Sequence, residues 1–210
     1  MGSLYKSNVI ATALNEVGYQ ADGTWNKYAD ELDKIDYFTG CGKKQGLDWC
    51  CVFICWCVYK NTEPDPDKWD AHYFLYQSDQ CDKAAVVKYA AQYYKDNHAF
   101  DTDTKYACTG DQIFFKDDNG DLYHTGIVVD WDESGIYTVE GNTNGGQVAR
   151  KFYSYSSSKI AGFGHPRYDK EAVSDPAPKK KNIYIDISVP EDCNVYINNQ
   201  LVDVNKHIEG

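Results

Sequence analysis

The chain has 210 residues, 42% of them hydrophobic, and a formal net charge of −11; this length suits one domain with an appendage. The mean hydropathy of −0.61 and the lack of a long apolar run exclude a membrane-spanning helix. The acidic balance argues against nucleic acid as a partner, because binding phosphates needs a basic surface.

Apolar residues at helical spacing predict helices in the first half of the chain. A first helix should be capped by Ser7 or Asn8 and end at Gly18. A second should cover residues 27–35 behind the capping side chain of Asn26. Two more follow. Residues 49–59 are apolar all round and predict a buried central helix, and residues 82–97 predict an amphipathic one.

After residue 100 the apolar period changes to two, which predicts strands. Clusters of Asp, Asn, Ser and Gly at 117–120 and 132–135 predict the turns between them. Helices first and an antiparallel meander second indicate an α+β domain over residues 1–168. The predicted strands are 112–116, 125–131, 135–140, 147–153 and 160–163.

The composition changes after the predicted domain. Residues 169–182 are rich in proline and charge, which is typical of a linker. Residues 183–210 have strand-like alternation, and Asn198-Asn199 is a candidate hairpin turn. A segment of about 28 residues is too short for an independent core. We interpret it as a partial small β module that is cut short or packs on a partner.

Eight cysteines invite a disulfide interpretation, but their spacing does not support it. Cys50 and Cys51 are adjacent, Cys55 and Cys57 share their helix, and no tandem Cys-x-x-Cys pair is present for zinc. Residues 1–30 have no signal-peptide pattern. We therefore expect reduced thiols in a protein made in a cytosol, most of them buried as small apolar side chains.

Cys50 lies at the predicted first turn of the buried helix. A helix N-terminus stabilises an anion, which lowers the pKa of a thiol and favours the nucleophilic thiolate. The alternative is one more buried cysteine, as for Cys51. The two side chains point about 100° apart on a helix, so they cannot serve the same purpose.

Three polar residues on the predicted strands complete a possible catalytic set. His124 opens one strand, where the alternative is a solvent-exposed histidine at an edge. Glu140 and Asn142 are two residues apart and should share a strand face. One of them can hold the His124 ring through its Nδ1–H. The alternative is a strand end that runs into a polar turn.

Four segments carry a characteristic order and spacing. They are Trp49-Cys50-x-x-Phe53-Ile54-x-Trp56-Cys57, Gly110-Asp111-x-Ile113-Phe114-Phe115, His124-x-Gly126-Ile127-Val128 and Glu140-Gly141-Asn142. Two flanking segments belong to the same pattern: Asn26-Lys27-Tyr28 ahead of the four and Ile160-x-Gly162-Phe163-Gly164-x-Pro166-x-Tyr168 behind them. In their joint order and spacing these segments resemble the CHAP domain, the cysteine, histidine-dependent amidohydrolase/peptidase, over about residues 5 to 168.

The resemblance implies a papain-like (NlpC-type) fold and a lytic enzyme that cleaves an amide bond in bacterial peptidoglycan. The activity would be that of a muramoyl-L-alanine amidase or of a stem or cross-bridge endopeptidase. The family's nucleophile corresponds to Cys50 and its base to His124. Its orienting carboxylate and amide correspond to Glu140 and Asn142.

Two more residues are candidates for binding the substrate. By analogy with papain-like enzymes, Gln45 is a candidate second donor to the oxyanion, beside the backbone N–H of Cys50. Trp49 is a candidate substrate contact.

The sequence departs from the family pattern in two places. Cys51 replaces the small residue that usually follows the nucleophile. The calcium loop of some members is not evident, because Asp22 and Asp30 lack its spacing, so we expect no obligatory metal and no cofactor.

The absence of a visible export signal favours a phage endolysin type. Such a protein is made in the cytoplasm of the host bacterium and acts at its cell wall. The C-terminal module would then target the wall or oligomerise.

Two rival functions remain open, and the cysteine spacing argues against a third. An amidase of the same fold could act on a peptide outside the cell wall. The domain could also be a catalytically silent module that binds wall glycan, with its aromatic residues as the binding platform. A cysteine-rich metal protein has the wrong cysteine spacing.

Overall fold

The computed structural model describes residues 1–169 and, further on, the backbone of 195–197 and 200–202. The chain divides into two compact units, Met1–Ser174 and Asp175–Gly210. In chain order the elements are β1 (Ser3–Leu4), α1 (Lys6–Asn15), α2 (Lys27–Lys34), α3 (Cys50–Tyr59), β2 (Thr62–Glu63), α4 (Lys68–Phe74), α5 (Val87–Asp96), β3 (Phe100–Asp101), β4 (Gln112–Lys116), β5 (Leu122–Asp132), β6 (Gly135–Thr143), β7 (Gln147–Ser154), β8 (Ile160–Gly164), β9 (Val195–Ile197) and β10 (Gln200–Val202).

The two helices that lie next to the candidate site are confirmed. The side chain of Asn26 caps α2 by accepting a hydrogen bond of 2.8 Å from the backbone N–H of Ala29. Helix α3 is buried from Cys50 to Val58, which explains its lack of a polar face. No helix in the described part of the chain is both long enough and apolar enough to cross a bilayer.

Other helix boundaries differ from the sequence prediction. Helix α1 starts at Lys6, ahead of the predicted caps, because Ser3 and Leu4 pair with β2 and the chain enters the helix directly from that strand. Helix α5 starts at Val87 rather than at residue 82, because Asp82 is buried and its carboxylate accepts from the backbone N–H of Ala84 in a turn.

Helix α4 was not predicted. It has seven residues, too few to show a clear apolar period, and its first turn is fixed by Asp67. The Asp67 carboxylate accepts hydrogen bonds from the backbone N–H groups of Trp69 and Asp70, at 2.8 and 3.0 Å.

The main sheet is antiparallel, with strand order β3-β8-β4-β5-β6-β7. Strands β4 to β7 form the predicted meander. Strand β8 leaves that order and pairs with the free side of β4, where Ile113 lies opposite Phe163. The prediction of a mixed α+β domain is confirmed, and the return of β8 is the point where the sheet differs from a plain meander.

Helix α3 packs against strands β5 and β6 of this sheet. The two elements approach closely at Gly141, where a Cβ atom would lie 2.6 Å from Cβ of Phe53 and 2.8 Å from Cζ3 of Trp49. Only glycine leaves room for this contact. The packing therefore brings the first turn of α3 to the strands that carry the other candidate residues.

The predicted C-terminal segments fall largely outside the described residues. Of the linker 169–182 only Asp169 is described, and of the module 183–210 only β9 and β10. These two strands pair antiparallel, with Ile197 opposite Gln200. The predicted turn at Asn198-Asn199 lies outside the described residues.

Candidate active site

Cys50 is the first residue of α3 and is only 4% exposed. The side chain and backbone N–H of Cys51, and the His124 ring with its positive charge, favour the ionised form of Cys50. The side chain of Cys51 contributes most and His124 adds to it. Together they outweigh burial and lower the pKa of Cys50 to about 5.

Cys51, the competing thiol, behaves in the opposite way. The hydrogen bond to Cys50 and burial raise the pKa of Cys51 well above its ordinary value. Cys51 is 1% exposed and acts as a donor to its neighbour. Of the two adjacent thiols, Cys50 therefore has the lower pKa.

His124 lies near the start of β5 and bridges Cys50 and Glu140. Its Nε2 is 3.0 Å from Oε2 of Glu140 on the neighbouring strand β6. Burial disfavours charge on the ring, but the hydrogen bonds to Cys50 and Glu140 outweigh it and raise the pKa of His124 to about 9. Phe115 and Tyr123 stack on the ring, with centroids 5.9 and 6.0 Å away.

The imidazole is oriented the other way round from the sequence expectation. Nε2, and not Nδ1, faces Glu140, which lies on the adjacent strand β6.

Glu140 is buried, with 1% exposure, and its second oxygen is also engaged. The hydroxyl of Thr138 donates a hydrogen bond of 2.6 Å to Oε1. The hydroxyl of Tyr153 on β7 also interacts with this carboxylate, and burial together with that negative charge raises the pKa of Tyr153. Glu140 is thus held in one orientation while it binds His124.

Asn142 does not reach the imidazole. Its Nδ2 donates to Oδ1 of Asp48, 3.1 Å away. The expectation that Glu140 and Asn142 share one strand face fails, because the pairing of β6 with β7 shifts register after Glu140 and Asn142 has a φ of 56°. Asn142 instead ties the end of β6 to the segment ahead of α3.

The two predicted substrate-binding residues lie in packed surroundings. Trp49 is 4% exposed, and its ring lies 5.3 Å from that of Tyr28. Oε1 of Gln45 accepts from the backbone N–H of Asn26 at 3.0 Å, and its Nε2 donates to the Asn26 carbonyl at 2.9 Å. Gln45 therefore holds the start of α2. Substrate contact by either residue stays a prediction.

Sequence reasoning missed three residues that shape this site. Thr138 was detectable, because it lies two residues before Glu140 on one strand and so shares its face. Tyr123 is 54% exposed and immediately precedes His124. Nothing in the sequence pointed to Asp48, whose partner Asn142 is 94 residues away. Over residues 1–169, no group of three His, Cys, Asp or Glu side chains is arranged to hold a metal ion.

The arrangement favours a thiolate–imidazolium pair at neutral pH. With the pKa of Cys50 at about 5 and that of His124 at about 9, Cys50 is ionised and His124 protonated between these values. A thiolate at a helix N-terminus, beside an imidazolium held by a carboxylate, can attack an electrophilic carbon and then protonate a leaving group.

Comparison with known proteins adds a distant likeness to a solved structure. No protein-family model matches the chain, and no curated protein matches it. One solved structure, "The crystal structure of Ly7917", superposes with a TM-score of 0.46 at 12% sequence identity, over 77% of this chain and 62% of that one. The chain thus spans less than two thirds of the length of that structure.

Proposed function

We propose that this chain is a cysteine hydrolase of the CHAP type, with a papain-like fold, that cleaves an amide bond in bacterial peptidoglycan. The observation that carries the hydrolytic part is the hydrogen bond between His124 and Glu140, next to a Cys50 thiol whose pKa is lowered in part by His124, while the imidazole pKa is raised. The choice of peptidoglycan rests on the resemblance of the four sequence segments to CHAP domains.

The first half of the proposed reaction forms an acyl-enzyme. The Cys50 thiolate attacks the carbonyl carbon of the scissile amide, and the electron pair of the C=O bond moves to oxygen. In this proposal the backbone N–H of Cys50, in the first turn of α3, stabilises the oxyanion. The C–N bond then breaks while the leaving nitrogen takes the proton from His124, which leaves a thioester on Cys50.

The second half regenerates the thiolate. Neutral His124 accepts a proton from water as the water oxygen attacks the thioester carbonyl. The intermediate collapses, the C–S bond breaks, and the acid product leaves. The proton stays on His124, so the ion pair is restored. Glu140 keeps the ring in the required orientation and stabilises its positive charge.

Digestion of purified peptidoglycan tests the substrate and the bond. We expect soluble fragments whose masses show one new amine and one new carboxyl group per cut. A free N-terminal alanine on an intact stem identifies a muramoyl-L-alanine amidase, and a new terminus inside the stem or cross-bridge identifies an endopeptidase. Intact walls that bind the protein without any new terminus would contradict the proposal and favour a silent wall-binding module.

Alkylation of Cys50 by iodoacetamide should depend little on pH near neutrality. Because the pKa of Cys50 is lowered to about 5, its thiolate is fully formed at pH 6.5 and the labelling rate at pH 8 should be nearly the same. An unperturbed thiol, with a pKa of about 8.5, would label roughly 20 times faster at pH 8 than at pH 6.5. Mass spectrometry of the Cys50 peptide gives both rates.

The variant His124→Ala is the matched control for this experiment. It removes one hydrogen bond and one positive charge from Cys50, so the pH dependence of labelling should move to higher pH. A steep rise of Cys50 labelling between pH 6.5 and 8 in the unaltered protein would show that no activated thiolate exists.

A further inference from the structure

A second pair of thiols lies outside the proposed active site. The sulfur atoms of Cys41 and Cys81 are 3.4 Å apart, although the residues are 40 positions apart in the sequence. Cys81 is exposed and Cys41 is half-buried, so reagents in solution can reach them. Neither takes part in the proposed mechanism. The contact is unexpected from the cysteine spacing, which predicted no disulfide.

The backbone holds the two loops against each other at this point. The backbone N–H of Asp82 donates to the carbonyl of Thr39 at 3.1 Å. Gly40, with a φ of 73°, faces the other loop so closely that a Cβ would lie 3.0 Å from the carbonyl oxygen of Gln80. The segment just before Cys41 is therefore held against the residues on both sides of Cys81.

Further contacts fix each loop individually. The Lys44 ammonium group donates to the carbonyl oxygens of Cys41 and Gly42. On the other side, Asp82 is fully buried next to Cys81. A thiol pair on two fixed loops has lost much of the entropy that closing a disulfide would otherwise cost.

We propose that Cys41 and Cys81 are a disulfide-forming site, oxidised by a low-molecular-weight disulfide such as oxidised glutathione. The thiolate of one cysteine attacks the reagent, forms a mixed disulfide and releases one thiolate. The second cysteine, after losing its proton to solvent, attacks the sulfur of the first and releases the other thiolate. The two cysteines are oxidised, the reagent is reduced to two thiols, and a bond of about 2.05 Å replaces the contact.

The disulfide would enclose the segment that carries the proposed nucleophile. The closed loop runs from Cys41 to Cys81 and contains all of α3, including Cys50, and all of α4. Closing a loop of this length restricts the unfolded chain and should raise the unfolding temperature by about 10 °C. This inference goes beyond the proposed function, and its test needs no enzyme activity.

The test treats the purified full chain with oxidised glutathione and maps its peptides without reduction. We expect a cross-linked Cys41–Cys81 peptide that lacks two hydrogen atoms relative to the separate peptides. The unfolding temperature should rise and should return to its original value on addition of dithiothreitol. Glutathione adducts on both cysteines without a cross-linked peptide would overturn the proposal.

Single variants assign the effect to this pair. In Cys41→Ser and in Cys81→Ser the oxidant should no longer raise the unfolding temperature, whereas Cys108→Ser should respond like the unaltered protein. A variant Cys50→Ala should still form the Cys41–Cys81 cross-link. That result would show that the cross-link does not depend on a reaction of the proposed nucleophile. An equal temperature rise in Cys41→Ser would also overturn the proposal.

Discussion

Replacing Cys50 with alanine should abolish amide cleavage while the fold persists. The expected loss of turnover is about 10⁴-fold or more, because no other group can form the covalent intermediate. Release of new amino termini from peptidoglycan measures the turnover. Circular dichroism and the unfolding temperature report the fold, in which the Cys50 side chain fills a small buried space.

Cys51→Ala is the matched control, since it removes the same thiol group from the neighbouring buried residue. The side chain of Cys51 donates to Cys50 and lowers its pKa, so this variant should keep activity with a loss of about tenfold. It should also shift the acid limb of the rate profile to higher pH. An inactive Cys51→Ala beside an active Cys50→Ala would assign the nucleophile to Cys51.

Glu140→Gln should lower turnover by about 10²- to 10⁴-fold. The amide keeps the shape of the carboxylate but loses the negative charge that helps to raise the pKa of His124. The imidazolium is fully present below that pKa and is lost as pH rises through it. Removing the charge therefore moves the alkaline limb of kcat/KM from about pH 9 towards neutrality. A pH series on purified peptidoglycan measures this shift.

Two further variants separate the orienting role from general disturbance of β6. Thr138→Val removes only the hydrogen bond to Glu140 and should cost about tenfold in turnover. Asn142→Gly retains the backbone conformation and removes the contact to Asp48, so it should cost much less than Glu140→Gln. Full activity in Glu140→Gln together with its loss in Asn142→Gly would transfer the orienting role to Asn142.

Elements with a strong local signal were predictable from the sequence. The all-apolar run that forms α3, the Asn26 cap of α2 and the alternating strands β4 to β7 each depend on neighbours within a few residues. The start of α5 was not predictable, because burial of Asp82 depends on contacts with distant residues. The pairing of β8 with β4 was not predictable either, because it joins segments that are more than 40 residues apart.

The sequence by itself determined the types of residue in the candidate site and nominated Cys50, His124 and Glu140. Only the tertiary structure decided that Cys50 rather than Cys51 carries the lowered pKa, and that Glu140 rather than Asn142 meets the ring. It also placed Cys41 beside Cys81.

The physical reason is the same in each case. A thiol's pKa and a hydrogen bond depend on distances of a few ångströms between atoms from different elements, and spacing along the chain does not encode those distances.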